Sequence, residues 1–333
     1  MPTPGLGLAS FFSMVTESVY GTDPASGYDY HSLVGGSGWK PAAEVTRGNR
    51  GMGRLGASSM VNRLERSEGT IVIDPQYEGM ELLLLHFCGG VDTYGVDTPV
   101  ASAYEHVFTP STTRQVGMTL HMNEGISMTA ITGVKLGTLG AIFSNENLQL
   151  TFGGIGQVHA ASAGVETPTY PTAPDVLALE GTPGTDGLVV TLEDVGGGSP
   201  AALNASEVSV DFSLPLSSDR EYLGNPVMQE TVPTDIMTVT GSITREFEDD
   251  TFADLFRLRT AKQLSMKYQS TSFITGTTPY DLELLLYNIT FQSGRPDIPG
   301  GGVLPESIPF TASVTGANFF AWTIHNSIVG AIS

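Results

Sequence analysis

Gly69-Thr70-Ile71-Val72-Ile73-Asp74, followed by Glu78-Gly79-Met80-Glu81-Leu82-Leu83-Leu84-Leu85-His86-Phe87, is the stretch whose reading decides the fold. Ile71 and Ile73 alternate with their neighbours, as on one face of a short strand. A short Leu-rich helix is expected next, over about 78–88. Carboxylates cluster at its start, where they suit the positive end of the helix dipole. A second stretch of the same plan stands 172 positions later: Gly241-Ser242-Ile243-Thr244-Arg245-Glu246, then Asp249-Asp250-Thr251-Phe252-Ala253-Asp254-Leu255-Phe256-Arg257-Leu258. Its helix is expected over about 250–259. Gly69 falls on Gly241, Ile71 on Ile243, Asp74 on Glu246, Met80 on Phe252 and Leu83 on Leu255.

Around these two stretches the apolar residues keep a period of two. Strands are expected at 116–122, 126–136 and 147–152, and again at 188–192, 207–214, 237–244, 263–269, 282–291, 308–314 and 319–328. Residues 1–45 carry few periodic signals, and 89–110 read as a polar connection. Residues 160–187 hold Pro168, Pro171, Pro174 and Pro183 among Thr and Gly, with one strand expected at 176–179. The order of elements then repeats, as in a duplicated unit with loop insertions. The division this gives is a first unit over 1–160, a Pro/Thr/Gly-rich connection over 161–187, and a second unit over 188–333.

Composition narrows the class. The chain has 333 residues, enough to bury a large core without disulfides. Its one cysteine, Cys88, sits inside the first expected helix, so an intramolecular disulfide and a multi-cysteine zinc site are excluded within one chain. That fits synthesis in a reducing cytoplasm. Thirty-five acidic residues stand against 15 basic ones, a net charge of −20. Such a chain gains nothing from phosphate neutralisation and is repelled by anionic membranes. Apolar runs are too short to span a bilayer, and no basic leader region is visible before Lys40. Forty Gly and 20 Pro with only 15% charged residues point to strands and turns.

Motifs that would carry chemistry fail on context. Gly51-Met52-Gly53-Arg54-Leu55-Gly56 has the spacing of a dinucleotide fingerprint, but no buried strand precedes it and no βαβ pattern follows. The six histidines show no metal-binding spacing. Glu246, Glu248, Asp249 and Asp250 lack the order of a calcium loop and are assigned to helix capping. No nucleophile elbow is present. No catalytic residue, cofactor or metal site is assigned. What stands out is 46–68, where Arg47, Arg50, Arg54, Arg63 and Arg66 are interspersed with Gly48, Gly51, Gly53 and Gly56. This reads as a long basic loop or hairpin. A strongly acidic chain with one basic arm has the charge layout for head-to-tail self-association, which builds rings or filaments.

Several segments together resemble the major tail tube proteins of long-tailed bacteriophages. They are Glu17-Ser18-Val19-Tyr20-Gly21-Thr22, the 69–83 block, Val239-Thr240-Gly241-Ser242-Ile243-Thr244 with Phe247-Glu248-Asp249, and Asn288-Ile289-Thr290-Phe291 through Gly300-Gly301-Gly302 to Ile308-Pro309-Phe310-Thr311-Ala312. The resemblance implies a mainly β fold: two tandem tail-tube-type β-sandwich units, each flanked by one helix, with sheets joining between subunits into a central barrel. It implies a structural, non-enzymatic virion subunit that stacks as rings into a hollow conduit for DNA. With a duplicated unit, it implies trimeric rings of pseudo-sixfold symmetry, hexameric rings being the alternative. Tape measure protein and DNA would occupy the lumen without specific binding. The five arginines would then form the contact loop to the next ring. The rival expectations are a head–tail connector or tail-terminator ring, and a carbohydrate-binding β-sandwich adhesion protein. The last would want aromatic platforms, and the chain has only Trp39 and Trp322.

Overall fold

The computed structural model describes residues 10–24, 26–47, 60–96, 102–125, 127–161, 167–176, 187–223, 225, 227–276, 278–293, 304–315 and 319–332; for 43–47 and 60–64 it describes the backbone alone. Alternating apolar residues put most of the chain into strands. The first half runs β1 (Phe11–Thr16), β2 (Asp29–Ser32), β3 (Gly38–Arg47), β4 (Met60–Ile73), α1 (Glu81–Cys88), β5 (Thr93–Val96), β6 (Tyr104–Phe108), β7 (Met118–Asn123), β8 (Met128–Ser144), β9 (Leu148–Gly156) and β10 (Val158–Ala161). The second runs β11 (Gly187–Asp194), β12 (Ala201–Ala202), β13 (Glu207–Ser213), β14 (Thr238–Glu246), α2 (Thr251–Leu258), β15 (Lys262–Thr275), β16 (Thr278–Phe291), β17 (Pro305–Ala312) and β18 (Phe320–Asn326).

Both helices stand where the sequence places them. Strands follow the period-two pattern closely; in β13, Val208, Val210 and Phe212 face inward while Glu207 and Asp211 face out. The polar connection expected over 89–110 instead holds β5 and β6. Its alternation is hidden because the inward residues include His106, buried together with Asp92 at 2.6 Å. The Phe11–Thr16 strand is missed for the opposite reason. Phe11 to Met14 are buried on both faces, so they show no period. The strand expected at 176–179 falls largely outside the described residues.

All the strands belong to one open hydrogen-bonded network. Fourteen of its antiparallel pairings form two sets of seven with the same connectivity. In the first half β1 pairs β2 and β7, β4 pairs β3 and β9, and β8 pairs β7, β9 and β10. In the second, β11 pairs β12 and β15, β14 pairs β13 and β17, and β16 pairs β15, β17 and β18. Register agrees too. Ile71 lies opposite Phe152, and Ile243, 172 positions on, lies opposite Ile308.

Two further ladders tie the halves together. β8 pairs β13 from Thr138↔Ser213 to Ser144↔Glu207, and β6 pairs β18 from Tyr104↔Asn326 to Phe108↔Trp322. One core therefore runs through both halves. Phe143 of β8 stacks on Tyr268 and Trp322, with ring centroids 5.9 and 6.2 Å apart, and Phe87 of α1 meets Phe212 of β13 edge-on at 6.0 Å.

The two helices differ in cover. All eight residues of α1 are buried, against Phe252 and Ala253 alone in α2. After α1 the chain folds back over the helix end, where the Arg114 guanidinium donates to the carbonyls of His86 and Cys88 at 3.0 Å each. After α2 the chain turns at Arg259, in the left-handed region at φ 54°, and enters β15 at once.

Candidate functional site

The arginine-rich segment forms the arms of a hairpin. β3 and β4 pair from Gly38↔Thr70 to Arg47↔Met60, with a shift between Glu44 and Val45 that leaves Arg63 as the extra residue of a bulge. Arg47 therefore stands at the outer end of the paired region. Arg50 and Arg54 lie outside the described residues. Arg66 is engaged within its own chain: its Nε–H donates to Glu68 Oε1 at 2.6 Å, and Nη1 to the Ser218 carbonyl at 3.0 Å. The structure brings Arg47, Arg63 and Arg66 onto one hairpin but assigns Arg66 to an intrachain contact.

The Glu17-to-Thr22 segment, noted in the sequence only for its resemblance, proves to be a structural knot. Glu17 is buried at the end of β1. Its Oε1 accepts from Gly133 N–H at 2.7 Å and from Thr119 Oγ1 at 2.8 Å, and its Oε2 accepts from Gly21 N–H at 2.6 Å. Three donors thus satisfy a carboxylate that burial would otherwise make costly. Gly133 is required here. Its φ is +66°, and a methyl group on it would stand 2.8 Å from Gln157 Cβ and 2.9 Å from Tyr20 Cζ. Gly133→Ala is expected to destabilise the chain by at least about 2 kcal/mol, read as a loss of urea midpoint at unchanged slope.

The same knot receives the segment between β13 and β14. Tyr20 Oη accepts from Thr231 N–H at 3.4 Å, Lys135 Nζ meets Glu230 Oε1 at 2.5 Å, and Gln157 Nε2 donates to the Met228 carbonyl at 2.7 Å. Leu214 N–H extends the β8–β13 ladder onto the Gly137 carbonyl at 2.7 Å. This connection occupies the place that the basic hairpin takes in the first half. In the second half this connection folds down on the first. No sequence signal marks this, because the partners, Tyr20, Lys135 and Gln157, lie far away in the chain.

The carboxylates at the helix starts serve packing as much as the dipole. Glu81 is buried, accepts from Gly79 N–H at 2.6 Å and from the Asn326 amide, and burial pushes its carboxyl up to about 8. Burial thus weakens the charge that Glu81 can bring to the helix start. Glu78 turns to Ser327 instead. At α2 it is Asp249 that reaches the helix, accepting from Thr251 N–H at 3.0 Å, and its bonds to the Thr251 hydroxyl and N–H hold its carboxyl below the ordinary range; Asp250, at the cap position, makes no side-chain cap. Among the described residues, no group of three or more His, Cys, Asp or Glu is placed to hold a metal ion. No helix among the described residues is long and apolar enough to cross a membrane.

What these residues define is a strand-built protein whose buried polar groups serve structure and whose open features are edges, a hairpin and a helix face. The family comparison agrees with that class. Residues 7–312 match the model of the phage tail tube protein family, and the chain belongs to that family. It is a structural component of the virion tail. No curated protein matches the chain.

Proposed function

We propose that this chain forms the tail tube as rings of three copies, each copy supplying two equivalent units, with the rings stacked into a hollow conduit for DNA. The observation that carries this reading is the pair of sevenfold-matched strand pairings, one set in each half. The halves meet through β8 and β13, and β3, the counterpart of β13, pairs only β4 among the described residues. Repeating the internal junction between copies gives a heterologous contact, and such contacts close into rings when the rotation allows. Six sandwich-type units would then surround the channel, the division falling within 161–187. Joining edges in this way removes open strand edges from the assembly.

A net charge of −20 per chain supports a lumen that repels DNA, since a cationic wall would gain affinity by counterion release and slow passage. Tape measure protein and DNA are the proposed occupants of that lumen. The basic hairpin is the proposed contact to the acidic face of the next ring, through Arg47, Arg50, Arg54 and Arg63. Arg50→Glu with Arg54→Glu is expected to shorten tubes and lower the salt concentration at which they dissociate. Unchanged tube length and salt tolerance would remove the hairpin from the ring-to-ring contact. Negative-stain microscopy of the purified protein tests the function itself. Long hollow tubes are expected; isolated rings would favour a terminator or connector, and monomers an adhesion role.

A further inference from the structure

α2 leaves an apolar end in water. Phe252 anchors the helix edge-on to Phe291 at 5.0 Å, and Leu255 packs half-buried on the core, but Phe256 is 47% exposed and Leu258 73% exposed. Exposed apolar area of this kind is unfavourable by about 25 cal/mol per Å². α1, at the corresponding place in the first half, has no exposed residue. Part of its cover comes from the chain just after it. The rest comes from the other half: Phe212 of β13 sits against Phe87, and Asn326 at the end of β18 donates to Glu81.

α2 has neither kind of cover among the described residues. The strand corresponding to β13 is β3, since Trp39 lies opposite Gly69 as Val210 lies opposite Gly241. In that register Pro41 takes the position of Phe212, and Pro41 is exposed. β3 thus offers an exposed apolar position that α2 lacks a partner for, and within one chain the two belong to opposite sides of the repeated junction. Lys40 and Pro41 also guard the β3 edge, because a charge and a missing N–H both discourage indiscriminate strand pairing. Docking through side chains at α2 tolerates that missing N–H. Charge agrees in sign, with Lys40 on β3 and Glu246 and Glu248 on the approach to α2.

We propose that the exposed end of α2, Phe256 and Leu258, packs against the β3 side of a second copy of this chain, as α1 packs against β13 within the chain. This rests on the ring reading above and names the helix end that closes the ring. The test is sedimentation velocity of the full chain beside Phe256→Asp, Leu258→Asp and Leu223→Asp, with thermal melts of each. Leu223 is a fully exposed apolar residue in the connection between β13 and β14 and serves as the matched control. Both α2 variants are expected to melt close to the parent and to associate at least tenfold more weakly, while Leu223→Asp assembles normally. Leu258→Asp, the more exposed position, keeps the test sound should Phe256→Asp lower the melting temperature. Normal assembly of both α2 variants overturns the docking and leaves the ring reading standing. Equal loss in Leu223→Asp overturns the assignment to α2. A parent chain that stays monomeric under all conditions overturns the ring reading itself.

Discussion

Glu306→Ala is expected to be among the most damaging single changes in this chain. Glu306 is fully buried on β17 and accepts from Arg245 Nε at 3.0 Å; the Arg245 side chain is itself 6% exposed, with its guanidinium 4.4 Å from the centre of the Phe252 ring. Removing the carboxylate leaves a buried cation whose other carboxylate, Asp249, is mostly in solvent at 3.5 Å. Breaking a buried pair in this way costs about 3–5 kcal/mol. For a chain of this size, with an unfolding entropy of about 0.7 kcal/mol/K, the melting temperature should fall by about 4–7 °C. The first half shows the alternative solution at the same register, where Ile73 lies opposite Leu150. The double change Arg245→Ile with Glu306→Leu is therefore expected to recover nearly all of the loss, because well-packed apolar residues often equal or exceed a buried ion pair. A loss below about 1 kcal/mol for Glu306→Ala would mean that the pair is not held away from water.

The second large effect is a pH dependence set by Glu81, His31 and His86. Burial pushes Glu81 up to about 8 from 4.5, helped by the nearby carboxylates of Glu78 and Asp29. Between those values the folded chain holds a proton that the unfolded chain has released. The contribution is therefore complete below about pH 4.5 and is lost as pH rises through 8, amounting to about 5 kcal/mol at 1.36 kcal/mol per unit. The histidines act in the opposite sense. Burial lowers His31 to about 4 and His86 to about 3 from 6.5, so the unfolded chain takes up protons first, and stability falls as pH drops below 6.5. From these groups stability should peak near pH 6.5 and decline on both sides. Glu81→Gln is expected to abolish the decline between pH 6.5 and 8 and to steepen the acid limb, which Glu81 partly offsets above pH 4.5. Urea titrations at pH 5, 6.5 and 8 measure this directly. An alkaline decline that persists in Glu81→Gln would place its origin elsewhere.

Much of the fold was legible because it is carried by local period. The offset of 172 between Gly69 and Gly241 holds in the pairing itself, and both helices lie within the expected spans. The offset changes elsewhere because the first half carries β5 and β6 between its helix and the next strand. Those two strands were hidden by the inward His106 and Asp92, whose mutual bond only the folded chain reveals. The burial of Glu81 was hidden for a similar reason: acidic residues at a helix start look like dipole partners until burial is known. In the basic segment, spacing located the hairpin but could not show that Arg66 turns inward to Glu68 and Ser218. Nor could it show that the equivalent connection, 214–237, folds onto Tyr20, Lys135 and Gln157. The links from Arg66 to Ser218, from Tyr20 to Thr231 and from Lys135 to Glu230 each span more than 90 positions.

The stoichiometry of one ring is the most direct measurement of whether a single chain fills two positions around the channel. Cryo-electron microscopy of assembled tubes, viewed down the axis and averaged without imposed symmetry, is expected to give threefold rings with six similar lobes, three of them bearing the β5–β6 hairpin. Rings of six whole chains with true sixfold symmetry would overturn the two-unit account.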